Sequence, residues 1–156
     1  MPGRLARAAA RFTGTLRDRM LGLLLLVPSG IALCVAARLD PDPSGFGTHR
    51  QLGLGGCTLY SLTGVLCPTC GMTTTFALAI HGHPWAAFLN QPFGFVIFLL
   101  TCGAAILGLA DLVVPRGRVV AAWRRIEARE GWIAGALLLG LLVGWAWKLS
   151  NIAGLP

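Results

Sequence analysis

Residues 51–110 contain no Asp, Glu, Lys or Arg. A water-exposed polypeptide seldom runs sixty residues without a charge, because about 25% of an average soluble domain is charged. Over the whole chain the charged fraction is 12% and the apolar fraction 55%. Such a tract has to lie against lipid or under other protein. The expected fold class is an all-α integral membrane protein, built as one membrane unit with three transmembrane helices.

The first span is expected at 20–37, eighteen residues without a charge and long enough for a slightly thin crossing. A cleaved signal peptide is the rival reading, since a basic region precedes the run and Val35-Ala36-Ala37 resembles a cleavage site. Signal-peptide apolar cores are usually about 7 to 15 residues, so an uncleaved anchor is expected. The clearest span is 93–114, with Asp111 near its end and within reach of the interface. The last is 131–149, with Trp145, Trp147 and Lys148 at its far interface and Trp123 and Trp132 as belt residues before it. Gly140 and Gly144 form a GxxxG pair suited to close helix packing, with Gly135 near the same face. Cys34 and Cys102, inside apolar runs, read as small buried hydrophobes.

The formal charge of +7 rests on twelve arginines and one lysine. The arginines gather at the ends of apolar runs. That points to a lipid bilayer with anionic headgroups as the partner and away from nucleic acid, which needs a basic face on a folded soluble domain. Arg4, Arg7 and Arg11 recur at helical spacing, as in a basic amphipathic surface helix; a disordered basic tail is the other reading of that segment. Residues 119–129 also suit a short interfacial helix. Short loops rich in Lys and Arg stay in the cytoplasm. The expected arrangement is therefore a basic cytoplasmic segment at 1–19, an outward-facing region at 38–92, a basic cytoplasmic loop at 115–130 and a tail at 150–156. This is a multi-pass protein of the cell's inner, cytoplasmic membrane with an extracytoplasmic Cys cluster.

Within 38–92 the Asp40-Pro41-Asp42-Pro43-Ser44-Gly45 run is hostile to helix. Residues 53–89 are too apolar for a free loop and too broken by Gly and Pro for a span. The reading is a partly embedded, Cys-rich re-entrant hairpin: one arm at 57–66, a turn at 67–71, and a short helix at about 72–80. A second short helix at 85–89 leads through Asn90-Gln91-Pro92 into the next span. Irregular backbone at membrane depth needs protein or water over it, so the hairpin is expected to pack against the spans.

Cys67-Pro68-Thr69-Cys70-Gly71 offers two thiols at chelating distance. Pro68 stiffens the turn, and Gly71 allows a left-handed backbone. Three uses fit. The first is a zinc knuckle with Cys57 as third ligand and His49, His81 or His83 as fourth. The second is a redox pair of Cys67 and Cys70, with a thiol pKa lowered by the following helix's N-terminus. The third is a permanent disulfide joining Cys57 to Cys67 or Cys70. Thr73 or Thr74 is expected to cap the following helix, and Gly82, between His81 and His83, to end it. No other catalytic constellation appears. Ser61 has no His–acid partner, and no Gly-rich phosphate loop is present.

Cys57, then Leu62-Thr63-Gly64, Cys67-Pro68-Thr69-Cys70-Gly71-Met72-Thr73, Gly82, Ala86-Ala87 and Asn90-Gln91-Pro92 together resemble the DUF2752 family of small bacterial membrane proteins, whose function is unassigned. The resemblance covers about residues 57–92. It departs from the family pattern at Thr74, where the family usually has Arg, and at Gln91, which splits an Asn-Pro pair. It implies the architecture and the site but no reaction. Two functions follow. One is a non-enzymatic membrane scaffold or accessory subunit whose Cys cluster, disulfide or zinc, shapes a segment that docks a membrane-protein partner or a second copy. The other is a membrane thiol–disulfide oxidoreductase using Cys67 and Cys70. A transporter would need oligomerisation, because three spans are few and no embedded charge lines a path.

Overall fold

The computed structural model describes the backbone of residues 3–152 and the side chains of residues 14–151. Those residues form seven α-helices and one short 3-10 turn, with no strand among them. The helices are α1 (Gly3–Ala36), α2 (Thr58–Thr63), α3 (Met72–Ile80), α4 (Pro84–Asn90), α5 (Pro92–Val113), α6 (Arg118–Glu127) and α7 (Glu130–Ile152); the 3-10 turn is Thr48–Leu52. The side chains of Arg4, Arg7 and Arg11, on which an amphipathic surface helix was expected, lie outside the described residues.

Among the described residues, three segments are long and apolar enough to cross a membrane: Gly14–Ala36, Pro92–Val113 and Glu130–Asn151. Only 17%, 17% and 11% of their most apolar windows are buried within the chain. Aliphatic faces this large and this uncovered are unstable in water and mark a membrane or partner surface. Cys34 is exposed and Cys102 half-buried. This corrects the expectation of buried small hydrophobes: both sit on helices whose apolar faces turn outward.

The chain divides into two compact units, residues 1–31 with 101–130 and residues 32–100 with 131–156. In the first, α1 and α5 meet backbone to backbone. A Cβ built on Gly108 would stand 2.6 Å from the Gly22 carbonyl oxygen, and one on Gly22 would stand 2.7 Å from that of Gly108. Only residues without a side chain permit that approach. Asp111, one turn further on, does not look out to the interface as expected; it is fully buried. Its carboxylate accepts from the Val119 N–H at 2.8 Å and from Arg118 Nη1 at 3.4 Å. An acid donated by the preceding helix thus satisfies orphan N–H groups at the start of α6. α6 carries Val119, Val120 and Trp123 along a cavity of about 420 Å³ that Arg17 and Leu21 also line.

In the second unit the best-buried side chains are not aliphatic pairs between long helices. Leu66, Thr48, Thr74, Thr75 and Gln91 are the large fully buried ones. Leu66 immediately precedes the 67–71 turn, and Gln91 donates to Pro68 O within it. Thr48 and Thr74 share a hydrogen bond of 2.8 Å, and the Asp42 N–H donates to Thr48 Oγ1 at 2.9 Å. Buried polar groups are costly unless paired; the Thr48–Thr74 pairing fixes the 40s loop to α3, while Gln91 Oε1 is buried with no hydrogen-bond partner. α3 and α4 pack on each other. Gly140 and Gly144 seat the ring and stem of Phe93: a Cβ on Gly144 would lie 2.8 Å from Phe93 Cβ. Gly135 has nothing within 4 Å and takes no part.

Candidate metal centre

Cys57 is the N-cap residue of α2, with extended backbone. α2 ends at Gly64, whose φ of 71° and N–H bond to Tyr60 O turn the chain back. Cys67 and Cys70 lie on a tight turn closed by the Cys70 N–H donating to Cys67 O at 3.0 Å. Gly71 follows with φ 92°, a conformation that residues bearing a Cβ resist. Neither Thr73 nor Thr74 caps α3, contrary to expectation. Gly71 is the N-cap and no side chain caps. Thr74 is spent on Thr48, and Thr75 accepts from Asn90 Nδ2 at 2.9 Å. Gly82, at φ 83°, carries the chain out of α3.

This folding brings three thiols to one point. The Sγ atoms of Cys57, Cys67 and Cys70 all lie within 4.8 Å of one another. Cys67 and Cys70 Sγ are 3.1 Å apart, and all five cysteines are free. Thr69 Oγ1 is 3.3 Å from Cys67 Sγ. The cluster opens on a cavity of about 530 Å³ that His49, Met72 and Thr73 also line. Of the three candidate histidines, His49 is the one on this cavity; its Nε2 is 3.2 Å from Gly55 O. His81 Nδ1 sits 2.7 Å from Ala77 O at the end of α3, and neither His81 nor His83 lines the cavity.

The thiols differ in acidity. Cys57 is lowered to about 6, first by the Tyr60 backbone N–H and then by Cys70 and the Cys67 backbone. Burial, then its two thiol neighbours, push Cys70 up to about 12. At neutral pH the metal-free cluster therefore holds an anionic Cys57 beside a protonated Cys70. A soft cation would displace the remaining protons, as thiolate sites require. Tetrahedral zinc with sulfur at about 2.3 Å spaces its thiolates at about 3.8 Å, a value between the 3.1 Å of the Cys67–Cys70 pair and the 4.8 Å that bounds the cluster. The same donor set suits other thiophilic ions.

Several side chains hold the turn in place. Gln91 Nε2 donates to Pro68 O at 2.9 Å, and Asn90 Nδ2 to Gly71 O at 3.2 Å. Asn90 and Gln91 are thus joined to the motif in space, and Pro92 starts α5 directly after them. Two further contacts come from α7. Trp145 Nε1 donates to Leu66 O at 2.7 Å, and Trp147 Nε1 to Leu89 O at 2.9 Å. Lys148 is 5% exposed, which corrects its reading as an interfacial residue. Sequence reasoning missed this role for α7. The signal was the spacing of Trp145 and Lys148, i and i+3 on one helical face, with the chain's one lysine in an apolar run.

The family model described as "Protein of unknown function (DUF2752)" matches residues 57–105. The match starts at the first thiol and runs into α5, so it contains the whole thiol cluster and the Asn90–Gln91 clamp. The resemblance read from the Cys-Pro-Thr-Cys-Gly motif stands on that match. No curated protein and no solved structure matches the chain.

Proposed function

We propose that this is a multi-pass membrane protein whose Cys57, Cys67 and Cys70 hold one thiophilic metal ion, with zinc the natural occupant. The metal-tied segment serves as a structural docking element for a membrane-protein partner or a second copy, a scaffold or accessory role and not an enzymatic one. One observation carries the reading: three sulfurs from two separate stretches of chain converge within 4.8 Å. A disulfide would use two of them and leave the third idle; a metal uses all three. His49, or a group from outside, completes the shell. In the membrane, the arginine-rich 1–19 and 115–130 segments lie on the cytoplasmic side among anionic headgroups. The cysteine segment lies on the opposite side, partly embedded as a re-entrant hairpin and covered by its polar core.

Thiol–disulfide exchange is the second reading, favoured by the 3.1 Å between Cys67 and Cys70. Cobalt(II) titration of reduced, detergent-purified protein separates the two. The metal reading predicts thiolate-to-cobalt charge-transfer absorption saturating at one equivalent and abolished by Cys57→Ser, Cys67→Ser or Cys70→Ser. Absence of that absorption, with a reversible Cys67–Cys70 disulfide that survives Cys57→Ser, would replace it with the redox reading.

A further inference from the structure

Lys148 is buried in a place where lysine is costly. A lysine near the end of an apolar helix ordinarily extends its ammonium into the headgroup region. This one turns inward. Its Nζ donates to Gly45 O at 2.9 Å and to Asn90 Oδ1 at 2.6 Å. A Cβ on Gly71 would stand 3.2 Å from the same Nζ, so the ammonium lies against the residue that follows Cys70. Among the described residues the one side-chain ion pair is Arg118 with Asp111, so no described carboxylate compensates Lys148. Two neutral oxygens do not offset the desolvation of a buried cation. Asp42, three residues before Gly45, accepts from the Ser44 N–H and hydroxyl; the ionisable group next to the ammonium's neighbour Gly71 is the Cys70 thiol.

Charge counting supplies the match. Three thiolates on a divalent ion leave a net charge of minus one, and one ammonium brings the site to neutrality. We propose that Lys148, held by Asn90 and Gly45, is the counter-charge of a Cys57–Cys67–Cys70 metal complex: a positioning residue that stabilises the fully deprotonated, metal-bound state without ligating the metal. This rests on the metal reading above and adds to it the part played by the buried end of α7.

The test uses the full chain in detergent, with cadmium(II) as probe and a competing chelator to set the free ion. Lys148→Gln keeps hydrogen-bond donors toward Gly45 and Asn90 but removes the charge; Lys148→Arg keeps the charge. The expected result is a Lys148→Gln protein that stays monodisperse and shows the wild-type thiolate-to-cadmium absorption at saturation. Its cadmium affinity falls ~10- to 100-fold, the range for outer-shell partners of metal ligands. Lys148→Arg recovers most of that loss. Should Lys148→Gln not fold, Asn90→Asp takes its place. Its carboxylate neutralises the ammonium from the Oδ1 position and is expected to weaken cadmium binding likewise. Wild-type affinity in a folded charge-removed variant, or in Asn90→Asp, overturns this proposal while leaving the metal site standing. A wild-type protein that takes up no cadmium overturns the metal site and this proposal together.

Discussion

Trp145 donates its indole N–H to the carbonyl of Leu66, 2.7 Å away, at the residue immediately before the first thiol of the Cys67–Cys70 turn. An apolar helix of the kind that spans membranes is thereby hydrogen-bonded to the loop that carries the site. Leu66 is 2% exposed, so its carbonyl has little access to water.

Trp145→Phe keeps the ring and removes the donor. A buried carbonyl left unpaired costs about 1–3 kcal/mol. Thermal or denaturant unfolding in detergent should show a loss of that size. Trp132→Phe is the control. Trp132 is 86% exposed, and its replacement should stay within about 0.5 kcal/mol.

Gly71 and Gly64 both sit at positive φ but in different company. A Cβ on Gly71 would meet Gly45 O at 2.8 Å, whereas one on Gly64 has nothing within 4 Å. Gly64→Ala should cost only the backbone term, about 1–2 kcal/mol. Gly71→Ala adds a clash with backbone at the site itself. It should lower folded yield more and expose Cys67 and Cys70 to thiol reagents that the Gly64 variant resists.

Gly108→Ala places a methyl 2.6 Å from the Gly22 carbonyl, while Gly103 has open space around it. The first should destabilise by several kcal/mol or force the α1–α5 contact apart. Gly103→Ala should be neutral or slightly stabilising, since alanine is the better helix former by roughly 1 kcal/mol. Unfolding in detergent checks both.

Much of the frame was legible because its cause is local. An uncharged tract, long apolar runs and Pro- or Gly-rich breaks determine where helices can form, and the three long apolar helices follow from them. The Cys-Pro-Thr-Cys-Gly turn could be read for the same reason: Gly71 needs its positive φ whatever surrounds it. What escaped was tertiary. Thr73 and Thr74 look like caps in sequence, yet Thr74 is claimed by Thr48 across the loop. Asp111 looks interfacial until α6 folds back and offers it N–H groups. Lys148 and Trp145 look like interface anchors because their shared face on α7 marks a polar neighbour without saying that it is the loop carrying the thiols and not the membrane surface. Gly71 in turn has a cation against it that its own segment does not supply, brought by Lys148 from α7.

Thiol reactivity should follow the acidity order of the cluster. In metal-free, reduced protein Cys57, lowered to about 6, becomes increasingly thiolate as pH rises through that value. Its alkylation rate should climb between about pH 5 and 7 and then level off. Cys70, pushed up to about 12, stays protonated there and should react slowly throughout. Mass-spectrometric mapping of alkylated residues against pH reads both. Equal rates at Cys57 and Cys70 at pH 7 would contradict the described environments.

The most direct measurement is metal content with thiol counting on protein purified under non-reducing, chelator-free conditions. The account predicts about one thiophilic ion per chain, as a single closed thiolate site requires. Native alkylation should leave Cys57, Cys67 and Cys70 protected, and chelation with denaturation should release all five free thiols. Metal-free protein with a Cys67–Cys70 disulfide and a reactive Cys57, or metal-free protein with every thiol reactive in the native state, would contradict it.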